Sequence, residues 1–186
     1  MNAEEMFRKS GAVLDGHFIL TSGRHSPVYW EKFRVMQYPE YVQQLCGMIA
    51  TQYKRVDIQL VAGPTTAGII LAFEVARQMG VRAIYAEKAE NKTFAFKRGA
   101  AINPGDRVLV VDDVFTTGGS VKEVLAAVRE RKGIVAGIGV LVDRSEQKYD
   151  FGAPFYGCVR AEAISYAPDN CPLCAAKIPL VKPGGS

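Results

Sequence analysis

The chain has 186 residues, with 23 Lys and Arg against 19 Asp and Glu, which gives a net charge of +4. This length fits one domain with a substantial core, and 48% hydrophobic with 23% charged residues excludes a disordered, collagen-like or coiled-coil chain. The basic excess is small and dispersed, which disfavours nucleic acid as a partner and fits a ligand with a few phosphates. No targeting or membrane segment is visible, because the longest apolar stretch, 60–76, contains Pro64 and Glu74. We therefore expect a cytoplasmic protein without a membrane partner.

The middle of the chain alternates between helical and strand patterns. Four segments are short, β-branched and apolar on both faces, as buried parallel strands are; they are Ile58–Ala62, Arg82–Ala86, Arg107–Val111 and Ile134–Val142. Three segments have apolar residues at helical spacing; they are Tyr38–Lys54, Ala67–Met79 and Ser120–Lys132, the last two followed by Gly80 and Gly133. The alternation predicts an α/β fold with a parallel sheet and right-handed crossovers.

The two ends of the chain lack this alternation. Residues 1–35 and 150–182 carry aromatic residues, prolines and short irregular runs. We expect one domain, with a core over about 36–149 and a small hood built from the two ends. Open α/β sheets bind ligands at the carboxyl ends of their strands, so we expect the hood to cover that edge.

The segment Arg107 to Ser120, RVLVVDDVFTTGGS, has the character of an anion site. An apolar strand leads into Asp112 and Asp113, then into a Thr/Gly/Ser loop and a helix. Glycines let the backbone approach an anion closely, and the first amides of the helix point at it. The two carboxylates would repel a phosphate and suit hydroxyl groups or a metal. One phosphate in the loop and a diol on the acids is the outline of a ribose 5-phosphate.

The bland alternative for this segment is a sharp turn between strand and helix with two acids beside it. Other phosphate motifs do not occur in the sequence: there is no G-x-x-x-x-G-K-[ST] and no G-x-G-x-x-G opening a helix. The coincidence of strand, acids, hydroxyls and glycines favours the phosphate loop.

The run Val108 to Ser120 resembles the phosphoribosyl-pyrophosphate signature of the type I phosphoribosyltransferases. Within that superfamily, Gly16 to Trp30 (GHFILTSGRHSPVYW) resembles the F-x-L-x-S-G-x-x-S-P hood segment of the orotate phosphoribosyltransferase family. Gly63 to Ile69 (GPTTAGI) and Val142-Asp143-Arg144 agree with the same family. The resemblance covers nearly the whole chain and implies a type I phosphoribosyltransferase core with a small hood.

The resemblance also implies residue roles. Asp112, Asp113 and Lys88 would be catalytic. Phosphoribosyl pyrophosphate would be bound by Asp112, Asp113, Val114, Phe115, Thr116, Thr117, Gly118, Gly119, Ser120, Lys88 and Lys92. Orotate would be bound by Thr116, Arg144, Tyr29 and Trp30; the aromatic pair could equally serve packing of the hood.

Two further loops would face pyrophosphate by the same resemblance. Gly63–Gly68 would approach it with backbone amides, although a plain glycine turn has the same sequence. Glu87–Gly99 matches a mobile lid whose basic residues (Lys88, Lys92, Lys97 and Arg98) would neutralise the leaving group; a solvated charged loop is the alternative. Many orotate enzymes have other residues at Thr21, Ala67 and Glu87, so the pyrophosphate contacts are expected to be distributed differently here.

The activity implied is transfer of the phosphoribosyl group to orotate in pyrimidine biosynthesis by a homodimer. Mg²⁺ would be held mainly through the substrate, without a direct protein ligand. A purine phosphoribosyltransferase and a non-catalytic regulator that senses phosphoribosyl pyrophosphate remain as alternatives.

The cysteine pattern gives a weaker signal. Cys171 and Cys174 have the spacing of half a zinc knuckle, but no second pair follows. Cys158 would supply only a third ligand, and His17 and His25 lie far away in sequence. These distances favour a tight C-terminal turn with reduced thiols over a metal site.

Overall fold

A mostly parallel six-stranded sheet forms the centre of the larger of two structural units. The structure is a computed structural model that describes residues 1–20, 22–90, 93–162 and 164–183. The larger unit comprises residues 39–161, and the smaller one comprises residues 1–38 with the segment from residue 162 onward. The elements, in chain order, are α1 (Ala3–Lys9), β1 (Val13–Ile19), β2 (His25–Trp30), α2 (Lys32–Met36), α3 (Pro39–Gln52), β3 (Leu60–Pro64), α4 (Ala67–Met79), β4 (Arg82–Lys88), β5 (Phe94–Phe96), β6 (Arg107–Phe115), α5 (Gly119–Glu130), β7 (Ile134–Asp143), β8 (Phe155–Arg160), a 3₁₀ turn (Pro168–Asn170) and α6 (Pro172–Ala175).

The order of strands in the large sheet is β5-β4-β3-β6-β7-β8. Strands β4, β3, β6, β7 and β8 are parallel, and only β5 runs antiparallel, at one edge. The predicted parallel α/β fold is therefore confirmed. From β3 the chain crosses over α4 to β4 on one side, and from β6 it crosses over α5 to β7 on the other. The direction of winding thus reverses between the neighbouring strands β3 and β6, which makes their carboxyl ends the expected place for a ligand.

The predicted helices and strands agree with the structure to within a few residues. Helix α4 has the predicted bounds, and Gly80 ends it with φ +69°, as a left-handed cap residue should. The largest difference lies in β6, predicted to end at Val111, which continues to Phe115. Asp112 and Asp113 therefore belong to the strand itself, where pairing with β7 fixes their backbone.

The helices cover both faces of the large sheet. Alternate residues of β7 face opposite sides of the sheet. Ile138 and Val140 join the apolar cluster that includes residues of α5. A Cβ at Gly139 would clash with Ile49 of α3, and one at Gly137 would clash with Tyr53, the residue that follows α3. Side chains of successive strand residues point to opposite faces, so α3 and α5 lie on opposite sides of β7. The sheet is buried on both faces, which explains its continuous apolar strands.

The smaller unit is more regular than its sequence suggests. Helix α1 is stabilised by a capping box, in which Asn2 and Glu5 exchange side-chain and backbone hydrogen bonds of 3.1 and 2.9 Å. Strands β1 and β2 form an antiparallel hairpin with a register shift between Asp15 and Phe18. Residues 1–35, whose sequence shows no alternation of strand and helix patterns, thus contain a capped helix and an antiparallel hairpin.

The C-terminal boundary of the core also differs from the prediction. Residues 155–160, assigned to the hood from the sequence, form β8 and pair with β7 in the large sheet. No helix separates β7 from β8, so the alternation that revealed the other strands was missing here. Within the described ranges, no helix combines the length and the apolar character needed to cross a bilayer.

Candidate active site

Four of the predicted binding segments lie at the carboxyl ends of neighbouring strands in the larger unit. Gly63–Gly68 follows from β3, Lys88 ends β4, Thr116 to Ser120 follows β6, and Arg144 follows β7. Parallel strands bring their carboxyl ends to one edge of the sheet. Because β3 and β6 are adjacent, the two glycine-containing loops lie side by side at the point where the winding reverses.

The loop after β6 has the backbone geometry of an anion cradle. Gly118 has φ +76° and immediately precedes α5, and a Cβ there would lie 2.4 Å from the ring of Phe115. A Cβ at Gly119 would meet no heavy atom within 4 Å. Gly118 is thus required by the turn, whereas Gly119 leaves open space at a helix start whose first amides have no acceptor inside the helix. Thr116, Thr117 and Ser120 are exposed around it.

The two acids before the loop are buried and held by local hydrogen bonds. Asp112 is 7% and Asp113 is 4% exposed. The backbone amide of Asp113 donates to the Asp112 carboxylate at 2.9 Å, and the amide of Val114 donates to the Asp113 carboxylate at 2.5 Å. Carboxylate oxygens accept hydrogen bonds from hydroxyl groups and also bind cations. These oxygens are of the type that Mg²⁺ prefers, so the residues present fit this ion.

Phe115 differs from its neighbours in the predicted binding segment. Its side chain is 1% exposed and makes edge-to-face contacts with Tyr149, Phe151 and Phe155. Its ring therefore belongs to the core, and only its backbone could contact a ligand. The predicted binding residue Val114 is half-buried.

The loop after β3 requires both of its outer glycines. A Cβ at Gly63 would lie 2.3 Å from the Gly68 carbonyl oxygen, and a Cβ at Gly68 would lie 2.7 Å from the ring of Pro64. The backbone is anchored by the amide of Thr65, which donates to the carbonyl of Ala86 in β4 at 2.8 Å. Close packing of the loop on itself explains the glycines without any ligand, so their role toward pyrophosphate remains a prediction.

The segment predicted as a lid forms a hairpin through β4 and β5. Phe94 and Phe96 are buried in the core cluster, and the amide of Phe94 donates to the Glu123 carboxylate at 3.0 Å. Lys88 lies 3.3 Å from the same carboxylate and 4.4 Å from the centroid of the Phe94 ring. Its side chain is still 53% exposed. The strands of this hairpin are thus held by packing against the core, which the charged sequence of the segment did not indicate.

The other basic residues of this segment have different positions. Arg98 pairs with Glu87 at 3.1 Å, and the hydrogen bond to that carboxylate raises the pKa of the arginine. Lys97 donates to the Lys88 carbonyl at 3.3 Å. The predicted pyrophosphate ligand Lys92, like Thr21, lies outside the described residues. Glu87 therefore serves as the partner of Arg98.

Arg144 is positioned by a network that the sequence did not reveal. Its backbone amide donates to the Phe115 carbonyl at 2.7 Å, which ties it to the end of β6. On either side, Asp143 and Ser145 are bound by one guanidinium, that of Arg160 in β8, through the Asp143 carboxylate and the Ser145 hydroxyl and carbonyl. Only the placement of β8 beside β7 identifies Arg160 as a residue that supports Arg144.

Tyr29 and Trp30 lie in β2 of the smaller unit and are half-buried. The ring of Trp30 contacts Phe7 at a centroid distance of 5.2 Å, and that of Tyr29 contacts Phe18 at 5.7 Å. Each of the two rings therefore packs against another aromatic ring of the same unit. Their predicted contact with orotate remains a prediction.

The sequence analysis treated the two histidines as too distant to join the cysteine pair, and the structure shows that this interpretation was wrong. His17 and His25, remote in sequence, lie with Cys171 and Cys174 in one cluster whose donor atoms are within 4.8 Å of one another. The β1–β2 hairpin supplies the histidines, and the C-terminal segment folds back onto it. The sequence separation that argued against a histidine partner is bridged by the pairing of Tyr166 with His25 and of Val181 with Phe18.

Comparisons with known proteins agree with this geometry. Residues 41–172 match a family described as a phosphoribosyl transferase domain. The strand, acids and helix-start loop at the winding reversal thus define the larger unit as the core of a phosphoribosyltransferase.

Individual relatives narrow this class. The chain is 51% identical to an orotate phosphoribosyltransferase of Pelotomaculum thermopropionicum, covering 96% of this chain and 94% of that protein. It is 46% identical to that of Chlorobaculum parvum, covering 96% and 92%. The solved orotate phosphoribosyltransferase of Aeropyrum pernix has a TM-score of 0.68 at 27% identity, covering 85% of this chain and 93% of that one. The chain belongs to the orotate phosphoribosyltransferase family.

Proposed function

We propose that this protein transfers the 5-phosphoribosyl group of phosphoribosyl pyrophosphate to orotate, giving orotidine 5′-phosphate and pyrophosphate in pyrimidine biosynthesis. The observation that carries the proposal is the loop 116–120 at the carboxyl end of β6, next to two buried acids and the winding reversal of the sheet. The close relatives named above carry this activity in their names.

The donor substrate is bound in two parts. The 5-phosphate accepts hydrogen bonds from the first amides of α5 and from the hydroxyls of Thr116, Thr117 and Ser120, and the positive end of the helix dipole favours it. The ribose hydroxyls donate to Asp112 and Asp113. Since both carboxylates are buried and held by backbone amides, they present fixed acceptors to the sugar.

The chemical step exchanges one bond at the anomeric carbon for another. A ring nitrogen of orotate gives up its proton to water and forms the new bond with its lone pair, and the bond to the pyrophosphate oxygen breaks and leaves its electrons on pyrophosphate. Positive charge develops on the ribose in between. The buried carboxylates of Asp112 and Asp113 stabilise this charge, so catalysis rests on positioning and electrostatics rather than on a covalent enzyme intermediate.

Pyrophosphate leaves toward the basic end of β4. Lys88, with an exposed side chain, would contribute positive charge there, together with the predicted contact from Lys92 and the amides of the Gly63–Gly68 loop. Mg²⁺, bound mainly through the substrate, would neutralise part of the pyrophosphate charge.

Orotate carries a carboxylate, for which a guanidinium is a suitable partner. Arg144 meets this requirement at the end of β7, and Thr116 at the end of β6 would lie against the base. The Arg160 guanidinium binds the carboxylate of Asp143 and the backbone carbonyl of Ser145, the residues on either side of Arg144. These bonds fix the position from which the Arg144 side chain extends. Tyr29 and Trp30 complete the proposed set of orotate contacts.

We also propose that the protein acts as a cytoplasmic homodimer. Helix α4 exposes Ile70 and Phe73, at 47% and 64%, three residues apart and hence on one face of the helix. Exposed apolar side chains of this size commonly mark contacts between subunits. Light scattering on the purified protein should give twice the chain mass; a monomer at micromolar concentration would contradict this part of the proposal.

A base-specificity assay tests the function. Orotate consumption is followed by its ultraviolet absorbance with phosphoribosyl pyrophosphate and Mg²⁺, and adenine, hypoxanthine and xanthine are offered in parallel. We expect turnover of orotate alone. Turnover of a purine without loss of orotate would show the purine enzyme, and no turnover of any base would favour a regulator.

A further inference from the structure

We propose that His17, His25, Cys171 and Cys174 form a tetrahedral zinc site inside the smaller unit. The site uses none of the residues assigned to phosphoribosyl transfer, and its role is structural. It holds the C-terminal segment on the β1–β2 hairpin.

The distances among the four donor atoms match those expected around zinc. His17 Nε2 lies 3.0 Å from His25 Nδ1, 3.6 Å from Cys171 Sγ and 3.7 Å from Cys174 Sγ, and His25 Nδ1 lies 3.3 Å from Cys174 Sγ. Tetrahedral zinc bonds of about 2.0–2.1 Å to nitrogen and about 2.3 Å to sulfur place nitrogen pairs about 3.3 Å apart and nitrogen–sulfur pairs about 3.6 Å apart. Four of the six donor-atom distances are therefore within a few tenths of an ångström of those in a coordination sphere, and all six are within 4.8 Å.

Hydrogen bonding among the four side chains does not account for the cluster. The Nδ1 of His17 lies 2.8 Å from the Ile178 carbonyl, and a carbonyl only accepts, so this nitrogen carries the proton. The Nε2 of neutral His17 then has a single lone pair, toward which His25 Nδ1 and both sulfurs converge. One lone pair cannot satisfy three neighbours, whereas a cation receiving one lone pair from each side chain satisfies all four.

The surroundings have the features of a structural metal site. The Ile178 carbonyl fixes the tautomer of His17, as outer partners of metal-bound histidines do. His17, His25 and Cys171 are at most 5% exposed, so three of the four ligands are shielded from water. Two sulfurs and two nitrogens in a closed set favour Zn²⁺ among the common metals and leave no position open for a substrate.

The fold explains how residues so distant in sequence come together. Ile19 pairs with His25 across the hairpin, and His17 is two residues before Ile19 on the same strand, so the two histidines are diagonal neighbours on one face. The C-terminal segment pairs with both edges of the hairpin, through Tyr166 beside His25 and Val181 beside Phe18. The loop between these two bridges carries both cysteines across the hairpin.

Metal analysis tests the site. The full chain, expressed without a histidine tag and purified under reducing conditions without chelator, should contain about one zinc ion per chain by plasma mass spectrometry. The Cys174→Ser variant should retain less than about a tenth of it, because a structural site needs four ligands. The matched control is Cys158→Ser, whose hydroxyl can keep the contact of the Cys158 sulfur with the Leu45 carbonyl; it should keep full zinc.

A second measurement on the unmodified protein covers the case in which the variant does not fold. Iodoacetamide labelling is mapped by mass spectrometry with and without a zinc chelator. Removal of zinc by the chelator should make the thiol of Cys174, which lies at the surface, reactive toward iodoacetamide. Cys158 and Cys46 should stay unlabelled, because burial raises the pKa of the Cys158 thiol to about 12 and Cys46 is buried. Cobalt(II) added to the metal-free chain should give the visible absorption of tetrahedral thiolate coordination.

Three results would overturn the proposal. The first is a reduced, folded protein that contains no zinc and takes up neither zinc nor cobalt. The second is zinc that remains at full stoichiometry in a folded Cys174→Ser variant. The third is labelling of Cys174 that the chelator leaves unchanged.

Discussion

Two single alanine substitutions in the loop after β6 test separate roles of its glycines. Gly118→Ala tests the requirement of the turn for glycine, and Gly119→Ala tests the proposed binding of a phosphate at the start of α5. Gly118 has φ +76°, and an added Cβ would lie 2.4 Å from the Phe115 ring. The left-handed backbone costs an alanine about 1–2 kcal/mol, and displacing a packed core ring costs about 1–3 kcal/mol. We therefore expect Gly118→Ala to lower the free energy of unfolding by about 2–5 kcal/mol, which lowers the melting temperature by roughly 4–20 °C at this chain length.

Gly119→Ala should behave in the opposite way. Its Cβ would enter space with no heavy atom within 4 Å, and alanine is the better helix former, so stability should change by less than about 1 kcal/mol. The same Cβ would occupy the approach of a phosphate to the first amides of α5. We expect binding of phosphoribosyl pyrophosphate to weaken about tenfold, which corresponds to about 1.4 kcal/mol, or one to two amide hydrogen bonds.

Two assays separate these effects. Thermal unfolding followed by circular dichroism measures stability, and isothermal titration calorimetry with phosphoribosyl pyrophosphate measures binding. A Gly118→Ala protein as stable as the parent would refute the packing argument. A Gly119→Ala protein that binds the substrate as tightly as the parent would show that the phosphate lies elsewhere.

Three further variants test single residues. Asp113→Asn should lower turnover roughly 10²-fold because it removes a charge that stabilises the cationic sugar. The protein should stay folded, because the asparagine side chain still accepts from the amide of Val114. An unchanged rate would show that the ribose binds elsewhere. Lys88→Ala should slow turnover yet change stability by less than about 1 kcal/mol, since its pair with Glu123 is exposed; unfolding would instead make Lys88 structural. Burial raises the pKa of Tyr53 from 10.0 to about 12. The neutral phenol therefore contributes on the order of 2 kcal/mol to the free energy of unfolding. This contribution is complete below pH 10 and is lost as the pH rises through 12. Denaturant unfolding from pH 8 to 11.5 should show a smaller loss of stability in Tyr53→Phe than in the parent; parallel curves would contradict the shift.

The core could be predicted from sequence because its signals are local. Helix α4 combines an apolar periodicity with a glycine cap, and both of its predicted ends agree with the structure. Strand β6 was found from its apolar run, but its end was misjudged because Asp112 and Asp113 interrupt that run while still pairing with β7. A strand that ends in buried acids cannot be recognised from hydrophobicity alone.

The missed features depend on contacts between residues far apart in the chain. Strand β8 follows β7 without a helix, so no alternation marked it, and Arg160 acquires its role only by lying beside Asp143. The cluster of His17 with Cys174 spans 157 residues and exists because a bulged hairpin and a C-terminal loop meet. Sequence spacing describes neither of these pairings.

A crystal structure of the protein with orotidine 5′-phosphate tests the central claim most directly. The account predicts the 5′-phosphate within hydrogen-bond distance of the amides and hydroxyls of residues 116–120, the ribose hydroxyls on Asp112 and Asp113, and the base carboxylate on Arg144. A nucleotide bound with its phosphate away from the β6 loop would contradict the assignment, whichever base the enzyme turns over.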